Sequence, residues 1–215
     1  PDNVIGQIGN LERIKGHFLE YLEYGYYPFL FEDEKNYHQK LLNMIDKTIY
    51  EDISNYYRLK TENLIYFRKI LSYMATISPG ELNKNSISKH IGLDNKTVDN
   101  YLKILNETGL ICLIAENRQG SNLLKGTEKI FLDNFNIYRA IVNEIGLDSN
   151  KGTIRELFFI KMLQNSGEKV FYSRVGDFQV KGINFEIGGR SKTKKQIKKN
   201  LEDSYLVKDD ILYSA

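Results

Sequence analysis

A chain of 215 residues is long enough for one large domain or two small ones, and 41% hydrophobic with 27% charged residues is an ordinary balance for a soluble globular protein. Its longest apolar runs fall short of the roughly 18 residues that a membrane helix needs, and its single cysteine, Cys112, excludes an internal disulfide. A net charge of +2 excludes a uniformly basic surface, so contact with nucleic acid has to come from local clusters. The opening PDNVIGQIGN has neither the basic start nor the apolar run of a signal peptide. It also lacks a methionine, so an excised fragment of a cytoplasmic protein is expected, with Cys112 as a small core residue.

Residues 1–60 read as a helical connector. LERIKGHFLEYLEYG has apolar residues at helical spacing and stops at Gly25, a C-cap just before Pro28. YHQKLLNMIDKTIYEDISNYY repeats the pattern, with Leu41, Leu42, Ile45 and Ile49 on one face. His17 and His38 lie here without metal-like spacing and read as surface residues. Tyr21, Tyr24, Tyr26, Tyr27, Tyr56 and Tyr57 read as packing between helices rather than as base-stacking platforms, because Glu20, Glu23 and Glu32 lie among them.

Residues 61–133 carry a more specific pattern. ENLIYFRKILSYMATI is an amphipathic helix ended at Pro79-Gly80. Ser86 is expected to cap a short helix with Ile87 and Ile91 inward; Gly92 makes a turn, and Asp94 caps a longer helix. On that helix Val98, Tyr101, Leu102 and Leu105 form the buried face, and Gly109 ends it. Two β segments follow, LICLIAEN and KIFLD, around the polar loop RQGSNLLKGTE. This is the order of a winged helix-turn-helix. Asn95, Lys96, Thr97, Asn100 and Lys103 would face DNA, with Arg118 and Lys125 on the wing. Asp94, Asp99 and Glu107 outweigh the two lysines of the second helix, which leaves a protein-contact role open beside DNA binding.

Residues 134–215 give the order α-β-β-β-α-β. GTIRELFFIKMLQNSG is the first helix; EKVFYSR, DFQVK and INFEIG are strands; SKTKKQIKKN is a basic helix; and SYLVKD is a last strand. This is the core order of the PD-(D/E)xK restriction-endonuclease-like fold, so the whole chain reads as a multi-domain α+β protein. No Walker A loop is present. The nearest stretch, EIGGRSKT, has Glu186 where the first glycine belongs and Ser191 before Lys192, and an acid there repels phosphate.

FLEYLEYGYYPF, KTVDNYLKILNETGLI, GTIRELFFIKML and GDFQVKGINFEIGGRSKTKKQI together resemble the C-terminal part of a prokaryotic family of AAA-type (AAA+ superfamily) ATPases. The resemblance covers about residues 16–210. It implies helices, a winged helix and a restriction-endonuclease-like domain of unknown function, following a P-loop core that this chain lacks. ATP would bind in that missing core; the partners implied are DNA, the protein's own ATPase core and other subunits of the assembly, with no membrane.

Carried onto this sequence, the nuclease pattern makes Glu156 the helix acid and Asp177 and Glu186 the Mg²⁺ ligands, which would activate a water for attack on phosphate. Gly188 stands where the lysine belongs, so the site reads as degenerate unless Lys192 or Lys194 reaches in from the next helix. Each acid also has a structural role open to it. Thr153 and Glu156 have capping-box spacing, Asp177 suits a tight turn, and Glu186 calls for a cationic partner such as Arg190 or Lys192. Arg190, Lys192, Lys194, Lys195, Lys198 and Lys199 run without an acid among them, as a phosphate-backbone contact, a contact to an acidic protein surface or a solvated face. The expected function is therefore an accessory module that binds DNA or the ATPase assembly. A Mg²⁺-dependent nuclease and a pure protein-interaction module are the alternatives.

Overall fold

Apolar residues at helical spacing build the first half of the chain, and short alternating segments build two small sheets in the second, a mixed α+β architecture. The computed structural model describes residues 13–117, 128–189 and 203–209. Among the described residues, no helix is long and apolar enough to cross a membrane.

Helix α1 (Ile14–Tyr24) ends at Gly25, whose N–H bonds Tyr21 O at 2.7 Å. A single turn, α2 (Phe29–Glu32), leads to α3 (Tyr37–Lys47), which passes through a π-helical stretch (Thr48–Ile53) into α4 (Ser54–Tyr57). Leu41, Ile45, Ile49 and Ile53 are fully buried along this rod, so the inward face persists through the wider turn. Helix α5 (Thr61–Thr76) buries Leu64, Phe67, Ile70, Leu71 and Met74.

Next come α6 (Lys84–Ile91), Gly92 at φ 80°, and α7 (Asn95–Glu107). The cap of α7 is Asp94, as expected, which accepts from the N–H groups of Lys96 and Thr97. The cap of α6 is Asn83 instead of Ser86; Ser86 lies one turn inside and donates its N–H to the Asn83 side chain. Val98, Tyr101, Leu102 and Leu105 are buried, with Tyr101 stacked on Phe67 at 4.4 Å between ring centres.

Strands β2 (Ile111–Ala115) and β3 (Glu128–Leu132) pair antiparallel, and a two-residue strand that the sequence does not announce, β1 (Gly80–Glu81), pairs with β3 on the other side. The sheet order is β1-β3-β2. Cys112 is buried in β2 as expected, and burial pushes its thiol up.

Helix α8 (Phe135–Glu144), to which the sequence reading assigns no element, is the most enclosed of the described helices. Asn134 caps it, and Phe135, Asn136, Ile137, Tyr138, Ala140, Ile141 and Val142 are all buried. Helix α9 (Lys151–Asn165) is capped by Asn150, whose side chain accepts from Gly152 and Thr153 N–H at 2.8 and 3.1 Å. Thr153 thus sits inside the first turn, buried at 5% exposure, and the capping-box reading of Thr153 and Glu156 is corrected.

The second sheet contains β4 (Phe171–Tyr172), β5 (Phe178–Val180), β6 (Ile183–Gly188) and β7 (Ser204–Lys208), in that order. The first three form an antiparallel meander, whereas β7 is parallel to β6, from Asn184↔Ser204 to Gly188↔Lys208. Parallel neighbours need a connection of a dozen residues or more, and the chain from 189 to 203 supplies that length. The expected basic helix within it lies outside the described residues. Phe178 packs between Phe131 of the first sheet and Phe159 of α9, at 5.9 and 5.8 Å. One hydrophobic cluster draws on all three sequence regions, from Leu22 through Phe67 and Leu105 to Phe178 and Ile187.

The early tyrosines pack between helices. Tyr21 and Tyr26 lie on Phe135 at 5.6 and 5.7 Å, and Tyr24 meets Tyr37 edge-on at 5.7 Å. His38 is half-buried against Tyr24 and Tyr37, which corrects its reading as a surface residue, while His17 is exposed. Tyr56, 82% exposed, and Tyr50, 43% exposed, are exceptions.

Burial pushes the Tyr37 phenol up to about 12, and burial also holds Tyr27 well above its ordinary value. Both folded-state values are raised, so their contribution is fully present below pH 10 and is lost as pH rises through about 12. Urea unfolding across that window should show stability falling, and Tyr37→Phe should make the fall shallower. Equal slopes for the two proteins would refute the assignment.

Candidate functional site

Two places gather the residues that sequence patterns single out. On α7, the residues facing away from the core are those expected. Asn95, Lys96, Asn100 and Lys103 are exposed and Thr97 is half-buried, while Val98, Tyr101 and Leu105 hold the opposite face in the core. Several are already engaged. The Thr97 hydroxyl donates to Asp94 Oδ2 at 2.6 Å, which holds that carboxyl below its usual range. Asn95 donates to Asn85 at 2.5 Å. Lys103 and Lys84 both pair with Asp99, Lys103 at 2.8 Å, so the Asp99 carboxyl is held low and the Lys103 ammonium high. Among the described residues, the exposed side chains of Lys96 and Asn100 have no such partner. Arg118 and Lys125 lie outside the described residues.

The second place is the carboxylate pair. Asp177 precedes β5 and bonds on either side of Glu186: its N–H donates to Phe185 O at 2.9 Å, and its Oδ2 accepts from Ile187 N–H at 2.7 Å. Its side chain thus prolongs the ladder where the incoming chain diverges. Gly176 permits this, because a Cβ there would lie 2.8 Å from Phe185 O. Ser173 and Asn184, both buried, were not singled out by sequence. Ser173 Oγ donates to Asn184 Oδ1 at 2.7 Å and accepts from Val175 and Gly176 N–H, fixing the turn that presents Asp177. The available signal was position, since Asn184 alternates with Glu186 along one face of β6.

Glu186 is 8% exposed in β6, and Glu156 is half-buried on α9. The turn role expected for Asp177 is therefore present, and so is its placement beside Glu186. Among the described residues, no group of three or more His, Cys, Asp or Glu stands where it could hold a metal ion. Lys192, Lys194, Lys195, Lys198 and Arg190 lie outside the described residues.

Arg155, next to Glu156, was also missed by sequence reasoning. Its Nε bonds Asp209 Oδ2 at 2.5 Å, and its guanidinium covers Gly189 at the end of β6. The glycine pair at 188 and 189 was the visible hint of a close approach.

The profile of one protein family, described as a domain of unknown function (DUF8612), matches residues 15–151. The chain belongs to that family. The DUF8612 segment runs from α1 to the first residue of α9; it includes the exposed face of α7 and leaves out Asp177, Glu186 and Arg155. No curated protein and no solved structure matches the chain.

Proposed function

We propose that this chain is a nucleic-acid-binding accessory module of an AAA-type ATPase, built from a helical connector, a winged helix and a PD-(D/E)xK-like unit. The observation that carries the DNA-binding part is the arrangement around α7. Helices α6 and α7 meet at Gly92, the β1-β3-β2 sheet closes behind them, and Asn95, Lys96 and Asn100 face outward. Such a helix can enter a major groove while neighbouring cations hold the phosphates. Support for the nuclease-like reading comes from the β4-β5-β6 meander followed by parallel β7. The link to an ATPase rests on the sequence resemblance alone; ATP belongs to the missing core, and the cytoplasm is the setting.

A second reading, a Mg²⁺-dependent nuclease, is favoured by Asp177 bonding to both neighbours of Glu186. It ranks lower because Asp177 Oδ2 is already bonded to a backbone N–H and Gly188 supplies no side chain.

Supercoiled plasmid incubated with the chain and Mg²⁺ or Mn²⁺ separates these readings. Plasmid should be retarded, remain intact and be released by protease. Lys96→Glu should weaken retention about tenfold, through loss of a phosphate contact and added repulsion. Metal-dependent nicking that disappears in Asp177→Ala would replace the binding reading with the enzymatic one. Plasmid that neither shifts nor breaks would leave contact with the ATPase assembly as the role.

A further inference from the structure

We infer that Arg155 is the phosphate-contacting cation of the nuclease-like unit, and that Asp209 occupies it when no nucleic acid is bound. The inference rests on the DNA-binding reading and adds a residue to it. Where the nuclease pattern calls for a lysine, Gly188 stands, and the next position, Gly189, lies under the Arg155 guanidinium. A Cβ on Gly189 would sit 3.1 Å from Nη2 and 3.3 Å from both Nη1 and Cζ. Arg155 reaches this spot from the opening turns of α9 and ends over the last residues of β6.

The adjacent strand delivers Asp209 to the same spot. β7 runs parallel to β6, and Asp209 N–H approaches Gly188 O at 3.4 Å. The carboxyl ends of two parallel strands therefore converge with one guanidinium, which is where open α/β sheets place their ligands.

The pairing itself is incomplete. Arg155 donates to Asp209 through Nε, while Asp209 Oδ1 is buried without a hydrogen-bond partner among the described residues. A structural Arg–carboxylate pair is commonly bidentate and satisfies both oxygens. This one leaves acceptor capacity unused, and its Arg155 side chain keeps 25% of its surface exposed. Carboxylate and phosphodiester are read by the same planar fork of donors. Asp209 thus stands as an internal substitute for a backbone phosphate, and a nucleic-acid strand arriving at this edge displaces it.

The test measures binding of a duplex DNA of about 30 base pairs across a salt series, a length that spans roughly three helical turns. Asp209→Asn should tighten binding about threefold or more, because it frees a cation without adding one. Arg155→Gln should weaken it and flatten the slope of log affinity against log salt by about one, the signature of one lost phosphate contact. In the double variant, the gain from Asp209→Asn should vanish, because Asp209 acts through Arg155. If Arg155→Gln fails to fold by circular dichroism, Arg155→Lys replaces it, and should keep the salt slope at reduced affinity. An equal gain from Asp209→Asn with and without Arg155 would reduce Asp209 to general repulsion and overturn the inference. So would an unchanged affinity in Asp209→Asn while the wild-type chain holds DNA. A wild-type chain that holds no DNA at low salt would overturn both this inference and the reading beneath it.

Discussion

Asn136→Ala should lower the unfolding free energy by on the order of 4 kcal/mol, a large share of what a domain of this size possesses. The side chain is completely buried and uses all of its capacity. Its Oδ1 accepts from Tyr26 N–H at 2.9 Å and from the Tyr37 hydroxyl at 2.7 Å. Its Nδ2 donates to Leu22 O at 3.0 Å and Glu23 O at 3.1 Å, two carbonyls at the end of α1. Alanine would remove all four bonds at once and leave the Tyr26 N–H, the Tyr37 hydroxyl and the Leu22 carbonyl without this partner. Neighbouring Asn134 anchors the same joint, capping α8 through Oδ1 and donating to the Tyr27 hydroxyl at 2.9 Å. Asn143→Ala, on the exposed side of the same helix, is the control and should change stability by about 0.5 kcal/mol at most. A urea midpoint for Asn136→Ala no lower than that of the control would sink the account of the joint.

Phe178→Ala should cost about 3–5 kcal/mol, the usual range for removing a buried ring that cannot be replaced by collapse. Its ring is fully buried between Phe131 and Phe159, with Lys129 Nζ 5.6 Å above it. Phe178 joins the second sheet to the first, so the loss should be felt along the whole chain. The tyrosines cluster in the first half, far from Phe178 in sequence. Their near-ultraviolet signal and the far-ultraviolet backbone signal should therefore shift together and stay coincident. Two separated transitions, with the tyrosine signal left at its wild-type midpoint, would show that the part built on the second sheet unfolds by itself.

Legibility in the sequence followed the range over which the forces act. The buried faces of α3, α5 and α7 were readable because helical spacing is a local property, and Asp94 and Gly92 announced a cap and a turn by their chemistry alone. Helix α8 was not readable in the same way. Asn136 is buried among its apolar residues, so a polar residue stands on the inward face and obscures the pattern, although Asn143 and Glu144 lie on an exposed side. Strand β1 is two residues long and exists only through its partner β3. At the candidate site, the sequence showed Asp177 and Glu186 as neighbours in a hairpin, and the structure adds their bracketing bonds. Arg155 meeting Asp209 joins residues 54 apart in the chain, and no spacing rule reaches that far.

Helix α1 meets its partners late in the chain. The Tyr21 hydroxyl contacts Met162 Sδ at 3.8 Å across a separation of 141 residues, and Phe18 lies against Phe158 at 5.1 Å. At a synthesis rate of about 5–20 residues per second, the part of the α1 face that α9 covers waits roughly 7–28 seconds for residues 141 positions further on. During that interval it is an exposed apolar surface on a nascent chain, the kind that a ribosome-bound chaperone holds. The span matched by the DUF8612 profile stops at residue 151, short of Phe158 and Met162. A piece cut at that limit would keep the contacts of α1 with Phe135 and Asn136 and lose those with Phe158 and Met162.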